Sequence, residues 1–144
     1  MNISRAMGLQ GSEIISLVGG GGKTTLMFRL AGELALQKKV VITTTTKIYR
    51  PLPDKYPLLL LGEDEQKEKE EKELAGYLQS GLIPVVGSEL LKDNKVDGIT
   101  GGQLNMLTKY ADYVLVEADG SKGRSLKGHL DFEPVIPGVT TVLV

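Results

Sequence analysis

One segment near the start of the chain constrains the fold more than any other. Residues Glu13–Val18 are mostly apolar and predict a buried strand. They are followed directly by four glycines and three polar residues, namely Gly19, Gly20, Gly21, Gly22, Lys23, Thr24 and Thr25. Apolar side chains then recur at helical spacing in Leu26, Met27, Leu30, Ala31 and Leu34. The segment therefore predicts a strand, a glycine-rich loop and a helix in succession.

This order of elements is suited to holding a polyphosphate. Glycine N–H groups can approach phosphates closely, and the helix directs its positive end, about half an elementary charge, at the same anion. We expect Lys23 to reach the β- and γ-phosphates and the Thr24 hydroxyl to hold a Mg²⁺ ion. Leu17 stands where the Walker A pattern has its first glycine, so the turn would begin later, at Gly19. The alternative is a glycine-rich turn that only joins strand to helix.

The rest of the chain alternates predicted strands and helices. Strands are predicted at 40–44, 58–61, 83–86, 113–116 and 139–144, and helices at 63–79 and after Thr100. Lys38 and Lys39 are expected to close the first helix, and Gly81 to follow the second at its C′ position. Apolar strand interiors favour an α/β fold, a P-loop NTPase-like wound and mainly parallel sheet with helices on both faces. We expect residues 1–144 to form a single nucleotide-binding domain that lacks a C-terminal part.

Composition excludes several classes of function. The chain has no cysteine, which excludes disulfides, thiolate zinc sites and cysteine nucleophiles. A net charge of −1 gives no electrostatic reason to expect nucleic acid as a partner. The apolar runs are far shorter than the ~20 residues that span a bilayer, and residues 1–10 lack the apolar core of a signal peptide. We therefore expect a cytoplasmic protein that binds neither nucleic acid nor membrane.

A run of threonines follows the second predicted strand. In a wound parallel sheet, functional residues collect beyond the carboxyl ends of the strands. Thr43 and Thr44 are expected to finish the strand, whereas Thr45 or Thr46 would lie beside the metal or the γ-phosphate, and Lys47 would supply positive charge. Threonine also has good β propensity, so a plain edge strand is the alternative.

An acidic motif follows the most hydrophobic of the later strands. Glu117 ends that strand in the Walker B arrangement, and we expect it to hold Mg²⁺, while Asp119 orients the attacking water or makes a switch contact. Gly120 would allow close approach to the γ-phosphate, and Lys122 and Arg124 could neutralise phosphate charge or clamp the acidic pair. The alternative is a solvated strand terminus, because carboxylates buried without a cation are costly. The candidate catalytic residues are thus Lys23, Glu117 and Asp119.

Three functions fit these motifs. The first is a nucleotide-driven accessory protein that binds ATP or GTP with Mg²⁺, hydrolyses it slowly, and rearranges the segments after Thr44 and Glu117. The second is a small-molecule kinase or another phosphoryl-transfer enzyme, which would also need an acceptor pocket and an arginine-bearing lid. The third is a module that binds nucleotide or another anion without turnover. The nucleoside triphosphate is the expected ligand in the first two.

The same segments, in the same order, resemble those of YqeC-type proteins. The resemblance is carried by residues 17–27 (LVGGGGKTTLM), 43–48 (TTTTKI), 116–124 (VEADGSKGR) and 133–137 (EPVIP). These proteins are described as accessory proteins of selenium-dependent molybdenum hydroxylases. The resemblance implies a P-loop NTPase-like domain that helps to mature, or to supply cofactor to, a molybdenum enzyme. It also implies a molybdenum hydroxylase or its cofactor-handling proteins as partners.

Overall fold

A computed structural model describes residues 13–18, 23–51, 56–62, 64–118 and 139–143 of the chain. Its strands are β1 (Glu13–Val18), β2 (Val40–Thr44), β3 (Lys47–Tyr49), β4 (Leu58–Leu60), β5 (Val85–Gly87), β6 (Lys95–Asp97), β7 (Tyr113–Glu117) and β8 (Val139–Leu143). Its helices are α1 (Lys23–Leu34), α2 (Lys67–Gln79), which a 3₁₀ turn at Asp64–Gln66 precedes, and α3 (Gly101–Leu107).

Six of the strands form one sheet in the order β4-β5-β2-β7-β1-β8. Every neighbouring pair in this sheet runs parallel. The other two strands, β3 and β6, form a short antiparallel ribbon in which Ile48 lies opposite Val96. The α/β fold with a mainly parallel sheet confirms the predicted fold class and is consistent with a P-loop-like fold.

Helices cover both faces of the sheet, as predicted. Because side chains of a strand alternate between faces, neighbouring residues of β7 belong to different cores. Leu115 packs in one hydrophobic cluster with Leu30 of α1. Val114 packs in the other, with Leu74 of α2 and Leu104 of α3. A strand buried on both faces must be apolar almost throughout, which explains why β7 was recognisable in the sequence.

The first helix buries the predicted apolar face but ends earlier than expected. Met27, Leu30, Ala31 and Leu34 are buried. The helix ends at Leu34, so the prediction that Lys38 and Lys39 close it is wrong. Lys39 is instead fastened to the start of β7, because its N–H donates to Asp112 Oδ2 at 2.9 Å and its carbonyl accepts from Asp112 N–H at 2.8 Å. β2 begins at the next residue, Val40, which is in register with Tyr113 of β7.

The charged helix ends as its sequence indicates. Gly81 has a φ of 79°, the left-handed conformation that favours glycine at C′. Its N–H donates to the carbonyl of Leu78 at 3.2 Å, and the N–H of Leu82 donates to that of Tyr77 at 3.1 Å. These two bonds form a Schellman motif, which satisfies carbonyls that the end of α2 would otherwise leave unpaired.

Two neighbouring strands, β4 and β5, differ from their predicted bounds. The strand predicted at 83–86 lies at Val85–Gly87, because Pro84 has no N–H to contribute to a sheet ladder. The predicted strand 58–61 stops at Leu60.

Thr100 begins α3 as predicted. Its hydroxyl accepts from Gln103 N–H at 3.2 Å, and its own N–H donates to Gln103 Oε1 at 2.9 Å. Within the described ranges, no helix is long and apolar enough to cross a membrane.

Two glycines of the α2 region should respond in opposite directions to the same substitution. Gly76 lies inside α2 with nothing within 4 Å of a Cβ placed on it, so Gly76→Ala should raise the free energy of unfolding by about 0.5–1 kcal/mol. Gly81→Ala should lower it by about 1 kcal/mol, because alanine is strained at positive φ. Urea denaturation of both variants measures the pair. Two shifts of the same sign would contradict the C′ assignment of Gly81.

Candidate functional site

The ends of three adjacent strands meet at one edge of the sheet, which we call the carboxyl edge. It comprises the last residues of β1, β2 and β7. Since β7 lies between the other two, Glu117 is in register with Leu17 of β1 on one side and with Thr44 of β2 on the other. Ligands of open α/β sheets bind beyond the carboxyl ends of the strands, so the carboxyl edge is the candidate binding region of this sheet.

The strand–loop–helix unit begins at this edge. β1 continues through Leu17 to Val18, and α1 begins at Lys23, so four residues join them. That the turn begins at Gly19 stays a prediction, because residues 19–22 lie outside the described residues. Thr25 is exposed in the first turn of α1. The glycines of the loop lie outside the described residues, as do the side chains of Lys23 and Thr24.

Glu117 is the last residue of β7 and is only 6 % exposed. Glu117 is therefore not the solvated strand terminus that the alternative interpretation of the acidic motif predicts. Its carbonyl oxygen accepts hydrogen bonds from the Thr44 hydroxyl at 2.9 Å and from the Thr45 N–H at 3.3 Å. The next residue, Ala118, donates its N–H to the carbonyl of Leu17 at 3.0 Å. The backbone around Glu117 is thus fixed to both neighbouring strands.

The rest of the acidic motif cannot be placed in the same way. Asp119, Gly120, Lys122 and Arg124 lie outside the described residues, and their roles stay predictions. The described residues contain no group of three or more carboxylate, imidazole or thiol side chains that could hold a metal. A Mg²⁺ ion that shares its ligands with nucleotide phosphates and water needs only one or two protein carboxylates. Glu117 together with a hydroxyl such as that of Thr24 fits this requirement in donor type.

The first two threonines complete β2, as predicted. Thr43 and Thr44 are both buried. The Thr43 hydroxyl donates to the carbonyl of Val86 at 2.7 Å. The Thr44 hydroxyl donates to the carbonyl of Glu117 and accepts from the N–H of Thr46 at 3.0 Å. Thr44 therefore both ties β2 to β7 and turns the chain out of the strand.

The next three residues leave the sheet. The Thr45 hydroxyl oxygen is buried and has no hydrogen-bond partner among the described residues. A buried hydroxyl without a partner costs free energy, so this atom suits a polar ligand. Thr46 keeps its hydroxyl 3.3 Å from that of Thr44. Lys47 is exposed at the first position of β3, in register with Asp97 of β6.

Sequence reasoning missed the residue that packs against this segment. A Cβ on Gly98 would lie 2.6 Å from the carbonyl carbon of Thr45 and 2.9 Å from the nitrogen of Thr46, so the two backbones are in direct contact. The next residue, Ile99, donates its N–H to the carbonyl of Thr44 at 3.0 Å. Gly98 is one of 18 glycines in the chain, and nothing in its local sequence distinguishes it. Only the ribbon of β3 and β6 brings it to the carboxyl edge.

The fold and the carboxyl edge define an α/β protein with a parallel sheet, in which β1, followed by α1, lies beside a strand that ends at a buried glutamate. The chain belongs to the YqeC family: the family model, described as YqeC protein, matches residues 15–144. A relative from Escherichia coli (strain K12), named "Uncharacterized protein YqeC", is 35% identical over 127 residues, which cover 86% of this chain and 47% of that protein. The chain thus spans about half the length of this curated relative. No solved structure matches the chain significantly.

The Thr44 hydroxyl should contribute measurably to stability. Thr44→Val keeps the side chain's shape but removes the partner of the Thr46 N–H and one of the donors to the Glu117 carbonyl, so we expect a loss of about 1–3 kcal/mol in the free energy of unfolding. Thr44→Ser keeps the hydroxyl and loses one methyl group, and should lose only about 0.8 kcal/mol. Urea denaturation compares the two. A valine variant at least as stable as the serine variant would show that the hydroxyl is not needed.

Proposed function

We propose that this chain is a P-loop nucleotide-binding protein and a Mg²⁺-dependent nucleoside triphosphatase. We further propose that it acts as an accessory or maturation factor for a selenium-dependent molybdenum hydroxylase. One observation carries the first proposal: four residues separate the end of β1 from the start of α1 at Lys23, and the adjacent strand ends at the buried Glu117. The four intervening residues are all glycine.

In the proposed nucleotide site, each part of the carboxyl edge has a role. Backbone N–H groups of residues 19–22 and the first turn of α1, including Thr25, would surround the phosphates. Lys23 would bind the β- and γ-phosphates, and Thr24 and Glu117 would hold Mg²⁺. The bound ion would neutralise charge that develops on the phosphate oxygens. The acceptor of the γ-phosphoryl group is water, which forms the new P–O bond as the bond to the β-phosphate oxygen breaks.

The residues after the two neighbouring strands would act on the γ-phosphate. Asp119 would orient the attacking water, and the positive charges of Lys47, Lys122 and Arg124 would offset the charge of the phosphates. Thr45, or Thr46 next to it, would donate its hydroxyl to the metal-bound water or to a phosphate oxygen. The buried Thr45 hydroxyl supports this role, because a phosphate oxygen would supply the partner that the described residues do not.

The accessory role rests on the family. YqeC-type proteins are described as accessory proteins of selenium-dependent molybdenum hydroxylases, and this chain belongs to that family. Loss of the γ-phosphate would release contacts of the segments after Thr44 and Glu117, and order–disorder changes of such segments are a common switch. Contact with a molybdenum hydroxylase, or with a protein that handles its cofactor, would then follow nucleotide state. We propose that this takes place in the cytoplasm.

Nucleotide binding should depend on the lysine at the start of α1. Lys23→Ala should weaken the affinity for ATP or GTP with Mg²⁺ at least tenfold, because a hydrogen bond to a charged group contributes about 1.5–3 kcal/mol. Lys38→Ala is the matched control: Lys38 is exposed beyond the other end of α1, and its removal should leave the affinity unchanged. Calorimetry with each triphosphate measures both variants. Equal affinities for wild type and Lys23→Ala would remove the basis of the nucleotide proposal.

Turnover should depend on the glutamate at the end of β7. Glu117→Gln should reduce Mg²⁺-dependent phosphate release at least tenfold, because a neutral amide is a weaker Mg²⁺ ligand, while the midpoint of thermal unfolding stays close to that of the wild type. Glu89→Gln, at an exposed position outside the carboxyl edge, should leave turnover unchanged. Phosphate release that persists in Glu117→Gln would assign the role to another group. Release that requires an added small-molecule acceptor would favour the kinase over the triphosphatase.

A further inference from the structure

A cavity of about 310 Å³ lies beside the carboxyl end of β4, between the first turns of α2 and α3. We call it the α2–α3 cavity. β4 is one of the two edge strands of the described sheet and is separated from β7 by β5 and β2, so this cavity is distinct from the proposed nucleotide site. Its volume falls at the lower end of the range for small-molecule sites, about 300–1,000 Å³. Its lining includes Leu61, Lys67, Glu70, Thr100, Gln103 and Met106.

One wall of the cavity carries a buried carboxylate. Glu70 is 8 % exposed, although it belongs to a helix whose other glutamates are exposed or half-buried. Its Oε2 accepts the N–H of Gly62 at 2.6 Å, and this is the one hydrogen bond that the carboxylate makes within the described part of the chain. A carboxylate has about four lone-pair positions, and a buried charge is costly unless it is well partnered. Glu70 can therefore accept further hydrogen bonds from a donor inside the cavity.

The other polar groups of the cavity are donors. Lys67 lies one turn before Glu70 on α2, and among the described residues it forms no ion pair with that carboxylate. Gln103 uses its carbonyl oxygen to accept the Thr100 N–H, so its amide NH₂ keeps two donors. The Thr100 hydroxyl oxygen accepts the Gln103 N–H and can still donate its own hydrogen. Positive and negative groups thus line the same small cavity, next to the apolar side chains of Leu61 and Met106.

We propose that the α2–α3 cavity binds a small zwitterion of the α-amino acid type with an aliphatic side chain. The ligand's ammonium donates to Glu70, and its carboxylate accepts from Lys67, the Gln103 amide and the Thr100 hydroxyl. The aliphatic side chain packs against Leu61 and Met106. This ligand complements both charges of the cavity. A simple anion would be repelled by the Glu70 carboxylate, and a simple amine would leave the Lys67 ammonium without a partner in the cavity. The inference goes beyond the nucleotide proposal and does not depend on it.

The binding test uses leucine, methionine and valine as probes, with the whole chain labelled with ¹⁵N. At least one of them should shift the backbone amides of Gly62 and Gly102, which flank the cavity, with saturation at millimolar concentration. Leucinamide lacks the carboxylate and N-acetylleucine lacks the ammonium, so each should bind at least tenfold more weakly than leucine. No shift with any of the three amino acids would overturn the proposal. Shifts with an uncharged polyol such as myo-inositol, and none with the amino acids, would overturn it equally.

Two pairs of variants distinguish recognition from a structural role of Glu70. Glu70→Gln retains an oxygen for the Gly62 N–H, so the fold is kept, but it removes the charge and should weaken amino-acid binding at least tenfold. Glu73→Gln, exposed on the same helix and outside the cavity, should leave binding unchanged. Lys67→Gln and its exposed control Lys69→Gln should differ in the same way. If Glu70→Gln binds the probes as tightly as the wild type, the role of Glu70 is limited to its hydrogen bond with the Gly62 N–H, and the proposal is wrong.

Discussion

The parallel pairing of β7 between β1 and β2 is the constraint on which the rest of the structure depends. It places Glu117 in register with both Leu17 and Thr44, so three strand ends that lie far apart in the sequence share one edge of the sheet. The Thr44 hydroxyl then donates to the Glu117 carbonyl and adds a side-chain hydrogen bond at the last residue pair of β2 and β7. Parallel ladders require crossover connections, and here α1 and the α2–α3 region supply them on opposite faces.

The elements that could be predicted from the sequence are those whose signals are local. β1 and β2 have the predicted bounds because apolar, β-branched runs end at glycines or polar residues. Thr100 and Gly81 were recognisable because a helix cap and a left-handed residue depend on a few neighbouring residues only. The same logic located Thr44 as the end of a strand. The family resemblance was also carried by short contiguous motifs, and the family match over residues 15–144 confirms it.

The elements that escaped prediction depend on contacts between distant segments. β3 and β6 have three residues each and pair across more than 40 positions, so neither has a periodic pattern long enough to detect. Gly98 follows β6 directly, and its backbone contacts that of Thr45 only because β3 and β6 pair. In the sequence, Glu70 is one of many charged residues of a helix that we predict to be solvated. Its buried carboxylate instead accepts the N–H of Gly62, a residue that follows β4. The glycine-rich motif at residues 19–22 shows the opposite case, because it was evident in the sequence but lies outside the described residues.

The segment from Gly98 to Thr100 joins the two regions of the molecule to which we assign ligands. On one side, Ile99 donates its N–H to the Thr44 carbonyl, and Gly98 leaves no room for a Cβ against Thr45 and Thr46. On the other side, Thr100 caps α3 and lines the α2–α3 cavity. Closely packed backbones cannot move independently, because neither has space into which to shift. We therefore expect a displacement of the residues that leave β2 to shift the first turn of α3, and a shift of α3 to act in the reverse direction, as energetic coupling between two sites requires.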